Sequence, residues 1–290
     1  MPPDVAAEVE VFNRQAEQLL ASVPPVEVLG VDASREQQRT SAPPPHPAAV
    51  VRTDGPAPVR VLDPGDATGV YFHIHGGGWT SGAADGQDPH LWSIATGARL
   101  VVVSVDYRLA PEHRMPACAD DCEAAARWVL GSFGHDRVFI GGESAGAHLS
   151  AVTLTRVRDG FAGANLVYGL YDLGMSPSQR AWGDRNMILS TPTIAWHLDQ
   201  LCGDRSESER RSPAWSPLYA DLTGLCPALF TVGTEDPVLD DSRLLAAAWA
   251  AAGNEATLDE YEAGIHAFNL FPTRLAAIAN ERQIAWLCSH

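Results

Sequence analysis

The chain's 290 residues, 46% hydrophobic and 19% charged, have an ordinary globular balance that excludes disorder and fibres and suffices for one large core. Lys and Arg number 20 against 36 Asp and Glu, and the formal charge of −16 repels phosphate backbones and anionic lipid. Nucleic acid and membrane surfaces are thereby excluded as partners, and a neutral small molecule is favoured.

At the N-terminus, Val5, Val9, Phe12, Ala16, Leu19 and Leu20 recur at helical spacing and predict one amphipathic helix. The segment lacks the basic start and apolar block of a secretory signal, and no apolar run reaches membrane-spanning length, so a soluble, cytoplasmic protein is expected. "SAPPPHPAAVV" follows as a rigid connector into the main body. Six runs then read as strands: "GVYFHIH" (69–75), "LVVVSVDY" (100–107), "RVFIGG" (137–142), "NLVYGLY" (165–171), "PALFTVG" (227–233) and "ATLDEYE" (256–262). Several are apolar on both faces, as a parallel sheet covered by helices requires. The helices that alternate with them are predicted over 116–134, 145–160, 241–254 and 273–287, which implies an α/β sheet with right-handed crossovers. Five cysteines, at 118, 122, 202, 226 and 288, form no paired framework and suit a reducing compartment. Cys118 and Cys122 read as buried apolar thiols rather than half of a metal site. From 174 to about 211 the rhythm breaks, and Met187, Ile188, Leu189, Trp196 and Leu198 stand among polar residues. A lid fits this segment at least as well as a long crossover does.

The pentapeptide Gly142-Glu143-Ser144-Ala145-Gly146 fits G-x-S-x-G, with a strand before it and a helix after it. On so sharp a turn the Ser144 hydroxyl is presented to a reactant, and glycine at both outer positions relieves a steric collision. A glycine-rich turn that happens to hold a serine is the plainer alternative. A serine nucleophile needs a base, and the base needs a group to hold it. Asp236 follows the strand "PALFTVG" and His266 follows the last predicted strand, in the expected order of acid before histidine. Glu235, Asp240 and Asp241 compete with Asp236, which is preferred because it comes first after the strand and turns on Pro237. The run His75-Gly76-Gly77-Gly78-Trp79 explains itself in the same terms: acyl transfer develops an oxyanion, and one preorganised N–H donor to it is worth roughly 3 kcal/mol. Gly77 and Gly78 would supply such donors, joined by the N–H of Ala145. A phosphate loop would end in Gly-Lys-Ser/Thr, which is not found here. His73 and His75 share a strand face without a third metal ligand, and His75 is expected to brace the loop.

With "HGGGW", "DYRLAPEHRMPA", "GESAG", "GTEDPVLDDS" and "GIHAF" in this order, the chain resembles the hormone-sensitive-lipase-like branch of α/β-hydrolase carboxylesterases, from about residue 69 to the C-terminus. The resemblance implies an α/β-hydrolase fold, with a mostly parallel eight-stranded sheet flanked by helices. It also implies a helical cap built from an N-terminal segment, residues 1–45, and an insertion near 174–211, on a catalytic domain spanning 46–290. It assigns the nucleophile to Ser144, the acid to Asp236, the base to His266 and the oxyanion glycines to Gly77 and Gly78. Tyr107, Arg108 and Glu112 are expected to organise loops near the site. Glu143 departs from the aspartate of the best-known relatives. The expected activity is a serine carboxylesterase hydrolysing neutral short- to medium-chain esters through an acyl-enzyme, with no metal or organic cofactor. Trp79, Tyr171, Met187, Leu189 and Trp196 are candidates for the substrate pocket, although large apolar residues more often belong to the core. An amidase or deacetylase with the same triad, or a non-catalytic binding homologue, is the alternative. The resemblance also allows a homodimer through the C-terminal helix and an edge strand.

Overall fold

A computed structural model describes residues 2–134 and 136–290. Helices α1 (Pro3–Leu20), α2 (Val26–Leu29) and α3 (Val31–Ser41) precede strands β1 (Ala49–Arg52), β2 (Val59–Leu62) and β3 (Gly69–Ile74). Then come α4 (Asp88–Ala98), β4 (Leu100–Val105), α5 (Ala117–Ser132), β5 (Val138–Glu143), α6 (Ala145–Val157) and β6 (Gly163–Val167). Three helices, α7 (Pro177–Ala181), α8 (Thr191–Cys202) and α9 (Glu207–Arg210), occupy the segment without strand rhythm. The chain ends in β7 (Ala228–Glu235), α10 (Leu239–Ala251), β8 (Ala256–Ile265) and α11 (Arg274–Ser289).

The strands form one eight-stranded sheet in the order β1-β2-β4-β3-β5-β6-β7-β8. Only the pairings that β2 makes are antiparallel. Period-two alternation sends successive side chains to opposite layers. Val70, Phe72 and Ile74 of β3 join a large core that also holds Cys118 and Cys122 of α5, Leu149 of α6 and Trp249 of α10. Tyr71 between them joins a smaller core with Leu91 and Ile94 of α4 and Trp286 of α11. The sheet is therefore covered on both faces, which is why β3, β4, β5 and β6 are buried along their whole length and mostly apolar. Because β4 and β5 lie on opposite sides of β3, strand order reverses there, and crevices at such reversals, beyond the carboxyl ends of strands, are where ligands bind on open α/β sheets.

The predicted strands and helices are present, and α2, α3, α7, α8 and α9 were expected only collectively, as a helical cap. The elements β1, β2 and α4 were not predicted; β1 and β2 are only four residues long, and β1 starts inside the stretch read as a connector. The strand predicted to reach Tyr171 stops at Val167, where Tyr168 turns to a φ of +37°. The N-terminal helices and the insertion meet above the sheet: Thr193 of α8 donates to Glu27 of α2 at 3.0 Å, and Arg185 bridges Glu17 of α1 at 2.8 Å and Glu235 at the end of β7 at 2.6 Å.

The connector is fastened by a buried ion pair. Arg60 of β2 donates through Nε to Asp88 at 2.6 Å and through a second nitrogen to its other oxygen, which also takes the His46 N–H at 2.6 Å. Asp88 is fully buried at the start of α4. Removing one partner of such a pair strands a charge away from water. Asp88→Ala is expected to lower unfolding stability by about 3–5 kcal/mol, read from urea denaturation.

Candidate active site

Ser144 sits between β5 and α6 with φ 56° and ψ −118°, a conformation costly for any residue with a Cβ. Its N–H donates to the Val167 carbonyl at 2.9 Å, and its own carbonyl accepts the His148 N–H at 3.1 Å. A Cβ on Gly142 or on Gly146 would lie 2.0 or 1.9 Å from the Ile74 carbonyl oxygen. Glycine at both positions is thus dictated mainly by the end of β3, rather than by a clash between the two arms of the turn.

The histidine and the acid expected for this serine converge on it. His266, four per cent exposed, places Nε2 2.9 Å from Ser144 Oγ and Nδ1 2.8 Å from Asp236 Oδ2. Asp236 Oδ1 takes the Val238 N–H at 3.0 Å, which fixes the carboxylate on the loop after β7. The competing acids are engaged elsewhere. Glu235 pairs with Arg185, and Asp240 accepts the Ser178 N–H. Asp241 accepts from the N–H groups of Tyr171 and Asp172, from Ser176 and from Gln179. Burial pushes the Asp241 carboxyl up to about 7, against these four donors. The Tyr168 ring packs 4.8 Å from the His266 ring, and its hydroxyl donates to Asn269.

The loop after β3 turns through Gly77 (φ 110°) and Gly78 (φ 57°). A Cβ on Gly77 would come within 2.3 Å of the Ser81 carbonyl, and one on Gly78 within 2.3 Å of the His197 ring. The backbone N–H groups of Gly77, Gly78 and Ala145 donate to no acceptor among the described residues. Ala145 is buried, whereas Gly77 and Gly78 are half-buried and line the same cavity as Ser144; a buried amide left unpaired is rare without a ligand to meet. His75 braces the loop: its Nδ1–H donates to the Gly76 carbonyl at 2.8 Å and its ring stacks on Tyr107 at 4.3 Å. Tyr107 in turn donates to the His75 carbonyl at 3.0 Å.

Beneath the turn, Glu143 accepts from His73 at 2.9 Å, and His73 meets Ser104 at 2.8 Å through its other nitrogen. Burial raises the Glu143 carboxyl, yet His73 and His90 beside it hold it well below the usual carboxylate range. His73 and His75 have separate polar partners, and no cluster of three metal-ligating side chains occurs among the described residues. Of the "YRLAPEH" residues, Glu112 binds Arg35 of α3 through both oxygens at 2.8 Å, while Arg108 pairs with Asp121.

Ser144, His266 and Gly76–Gly78 line one cavity of about 550 Å³, roofed by α2, α3 and α8. Of the five pocket candidates only Leu189 lines it. Trp79 is buried beside α6, its indole N–H donating to His148 Nδ1 at 3.1 Å, and Tyr171 is buried edge-on to Phe230. Met187 is wholly buried, and Trp196, half-buried and edge-on to His197, does not line the cavity. Trp79, Tyr171 and Met187 serve packing in the large core. Tyr168, Ile188 and His197 line the cavity in their place. His197 was legible only as a position four residues after Thr193 on a predicted lid, since both occupy one face of α8. Burial pushes the imidazoles of His75, His148 and His197 down to about 4.

A hydroxyl bonded to an imidazole, an imidazole held by a buried carboxylate and unpaired amides around a half-enclosed cavity can together perform nucleophilic acyl transfer. A family model described as alpha/beta hydrolase fold matches residues 71–270. The chain is 37% identical over 241 residues to carboxylesterase NlhH of Mycobacterium tuberculosis (strain ATCC 25618 / H37Rv), covering 77% of this chain and 74% of that protein. A hyperthermophilic esterase from the archaeon Pyrobaculum calidifontis superposes with a TM-score of 0.86 at 28% identity, over 96% of this chain and 97% of that one. A hormone-sensitive lipase from a metagenome library does so with a TM-score of 0.88 at 27% identity, over 97% of each chain. The matched residues contain the turn, the glycine loop and both partners of the serine, and the chain belongs to the hormone-sensitive-lipase-like family of α/β hydrolases.

Proposed function

We propose that this chain is a serine carboxylesterase that hydrolyses neutral small esters with short to medium acyl chains. The observation that carries this reading is the unbroken relay Ser144–His266–Asp236, with hydrogen bonds of 2.9 and 2.8 Å, opening on a roofed cavity. The carboxylesterase and esterase names of the mycobacterial and archaeal relatives agree with it. A volume of about 550 Å³ suits a small ligand. The chain's negative charge gives no reason to bind a polyanion.

In the proposed cycle Ser144 Oγ attacks the ester carbonyl as His266 Nε2 takes its proton. Asp236 holds the ring through Nδ1–H and steadies the imidazolium that forms. The carbonyl electron pair moves onto oxygen, and the N–H groups of Gly77, Gly78 and Ala145 donate hydrogen bonds to the resulting oxyanion, the last from the positive end of a 13-residue helix. Collapse of the tetrahedral species breaks the bond to the alcohol oxygen, which takes the proton from His266. A water molecule then gives its proton to His266 as it attacks the acyl-serine, and collapse breaks the acyl–Oγ bond and returns that proton from His266 to Ser144 Oγ as the acid leaves. In this reading residues 1–45 and 174–211 form the cap over a catalytic domain. All five cysteines are free, which supports a cytoplasmic setting, and among the described residues no helix is long and apolar enough to cross a membrane. Strand β8 lies at the edge of the sheet, where a homodimer would pair.

Turnover of p-nitrophenyl esters of graded acyl length tests the proposal. Ser144→Ala is expected to lower kcat by at least about 10⁴-fold and Asp236→Asn by about 10⁴-fold, with the fold retained by circular dichroism. A Ser144→Ala protein as fast as the wild type would sink the assignment.

The buried imidazoles also predict how acid acts on the fold. Their folded pKa lies below the unfolded value, so the stability they contribute is complete above about pH 6.5 and is lost as pH falls toward about 4. Glu143, also depressed, acts in the same sense but only below about pH 4.5, whereas Asp241, raised by burial, acts in the opposite sense below about pH 7. With three imidazoles against one carboxyl, urea midpoints are expected to fall between pH 7 and pH 4.5.

A further inference from the structure

Thr80, almost wholly buried two residues after Gly78, is gripped from both halves of the roof. Arg35 of α3 donates through Nε to its carbonyl at 2.7 Å, while Arg35's other nitrogens hold the Ala110 carbonyl and Glu112. From α8, His197 Nδ1 meets the Thr80 hydroxyl at 3.2 Å. The same imidazole rests on the bare Cα of Gly78, where a Cβ would lie 2.3 to 2.6 Å from three of its ring atoms. Thr80 also closes the turn that carries the glycines, since its N–H and that of Ser81 donate to the Gly77 carbonyl at 3.2 and 3.0 Å.

We infer that His197 is a positioning residue for the oxyanion loop: seated on Gly78 and bonded to Thr80, it sets the direction in which the Gly77 and Gly78 N–H groups point. The inference rests on the reading of that loop as an oxyanion hole. It gives the third glycine a use that anion binding alone does not require, because the bare Cα at 78 is the seat of a histidine from the roof. It also makes seating of the roof and assembly of the anion site one event. With α8 displaced, the turn loses the bond to the Thr80 hydroxyl and the ring packed on Gly78. Amide donors are effective only when already aimed at the place where charge develops, so a loosened turn slows chemistry more than it weakens ester binding.

The test compares wild type, His197→Ala, Thr80→Val and Thr80→Ser on p-nitrophenyl butyrate. It also measures affinity for an alkyl trifluoromethyl ketone, which adds the serine oxygen and places negative charge on its own, and for the unreactive alkyl alcohol of the same length. In His197→Ala and Thr80→Val, kcat and kcat/KM are expected to fall together by about ten- to a hundredfold. Affinity for the ketone should fall by the same factor, affinity for the alcohol should stay, and Thr80→Ser should recover most of the loss. Wild-type rates in both variants, or a raised KM at unchanged kcat, would overturn the inference; the second result would make His197 a substrate contact. Should His197→Ala fail to fold, the two Thr80 variants decide. A wild type that turns over no ester removes the oxyanion reading and the inference with it, whereas an active wild type with unaffected variants removes the inference alone.

Discussion

The Ile74 carbonyl oxygen occupies the space that a Cβ on Gly142 or Gly146 would need, and the site is built on that contact. Ile74 pairs with Gly142 in the sheet, and the glycine loop begins one residue beyond it at His75. The nucleophile's turn and the loop are therefore tied through a single backbone position at the end of a central strand, and strand register sets their separation. A hydroxyl and the amides that face it must hold their places to within a fraction of an ångström to act together, and a parallel sheet covered on both faces supplies that rigidity.

Strain and buried charge are concentrated around this point. Ser144 keeps a positive φ because its N–H is bonded to Val167 on the neighbouring strand and because α6 starts at the next residue. Under it, Glu143 and His73 form a buried pair extended by Ser104. In a medium of low dielectric such a pair is strong only while every partner is present. The chain ties the strand of the glycine loop to the strand of the nucleophile by this pair as well as by the sheet's ladder. Asp241 acts similarly at the start of α10, gathering three donors from the segment between β6 and α7 and a fourth, Gln179, from α7 itself, and so holding that crossover near the acid loop.

The roof is fastened in two ways. Polar contacts fasten its two parts to each other, Arg185 to Glu17 and Thr193 to Glu27, and to the body, Arg185 to Glu235, Arg35 to Glu112 and His197 to Thr80. Half-exposed ion pairs of this kind contribute little each and weaken with salt. Apolar burial does more, since Val5 and Val9 of α1 and Ile194, Leu198 and Leu201 of α8 join the large core of the body.

Local chemistry made the central elements readable in the linear chain. The G-x-S-x-G turn lay between a strand and a helix, the glycine run followed an apolar strand, and Asp236 and His266 followed later strands in order; each is a short pattern with a steric or chemical reason of its own. The edge strand β1 and its neighbour β2 were not readable, because four residues carry too little periodicity and the place of β2 depends on β4, far along the chain. Pocket residues were misjudged for the same reason. Trp79 and Tyr171 are large and apolar, and only packing decides whether such a group faces a core or a cavity, whereas His197 and Tyr168 became cavity walls through the placement of α8 and the turn after β6. Residue types and their spacing thus determined which groups could react, and long-range packing alone decided what surrounds them, since burial is a property of neighbours brought together by the whole fold.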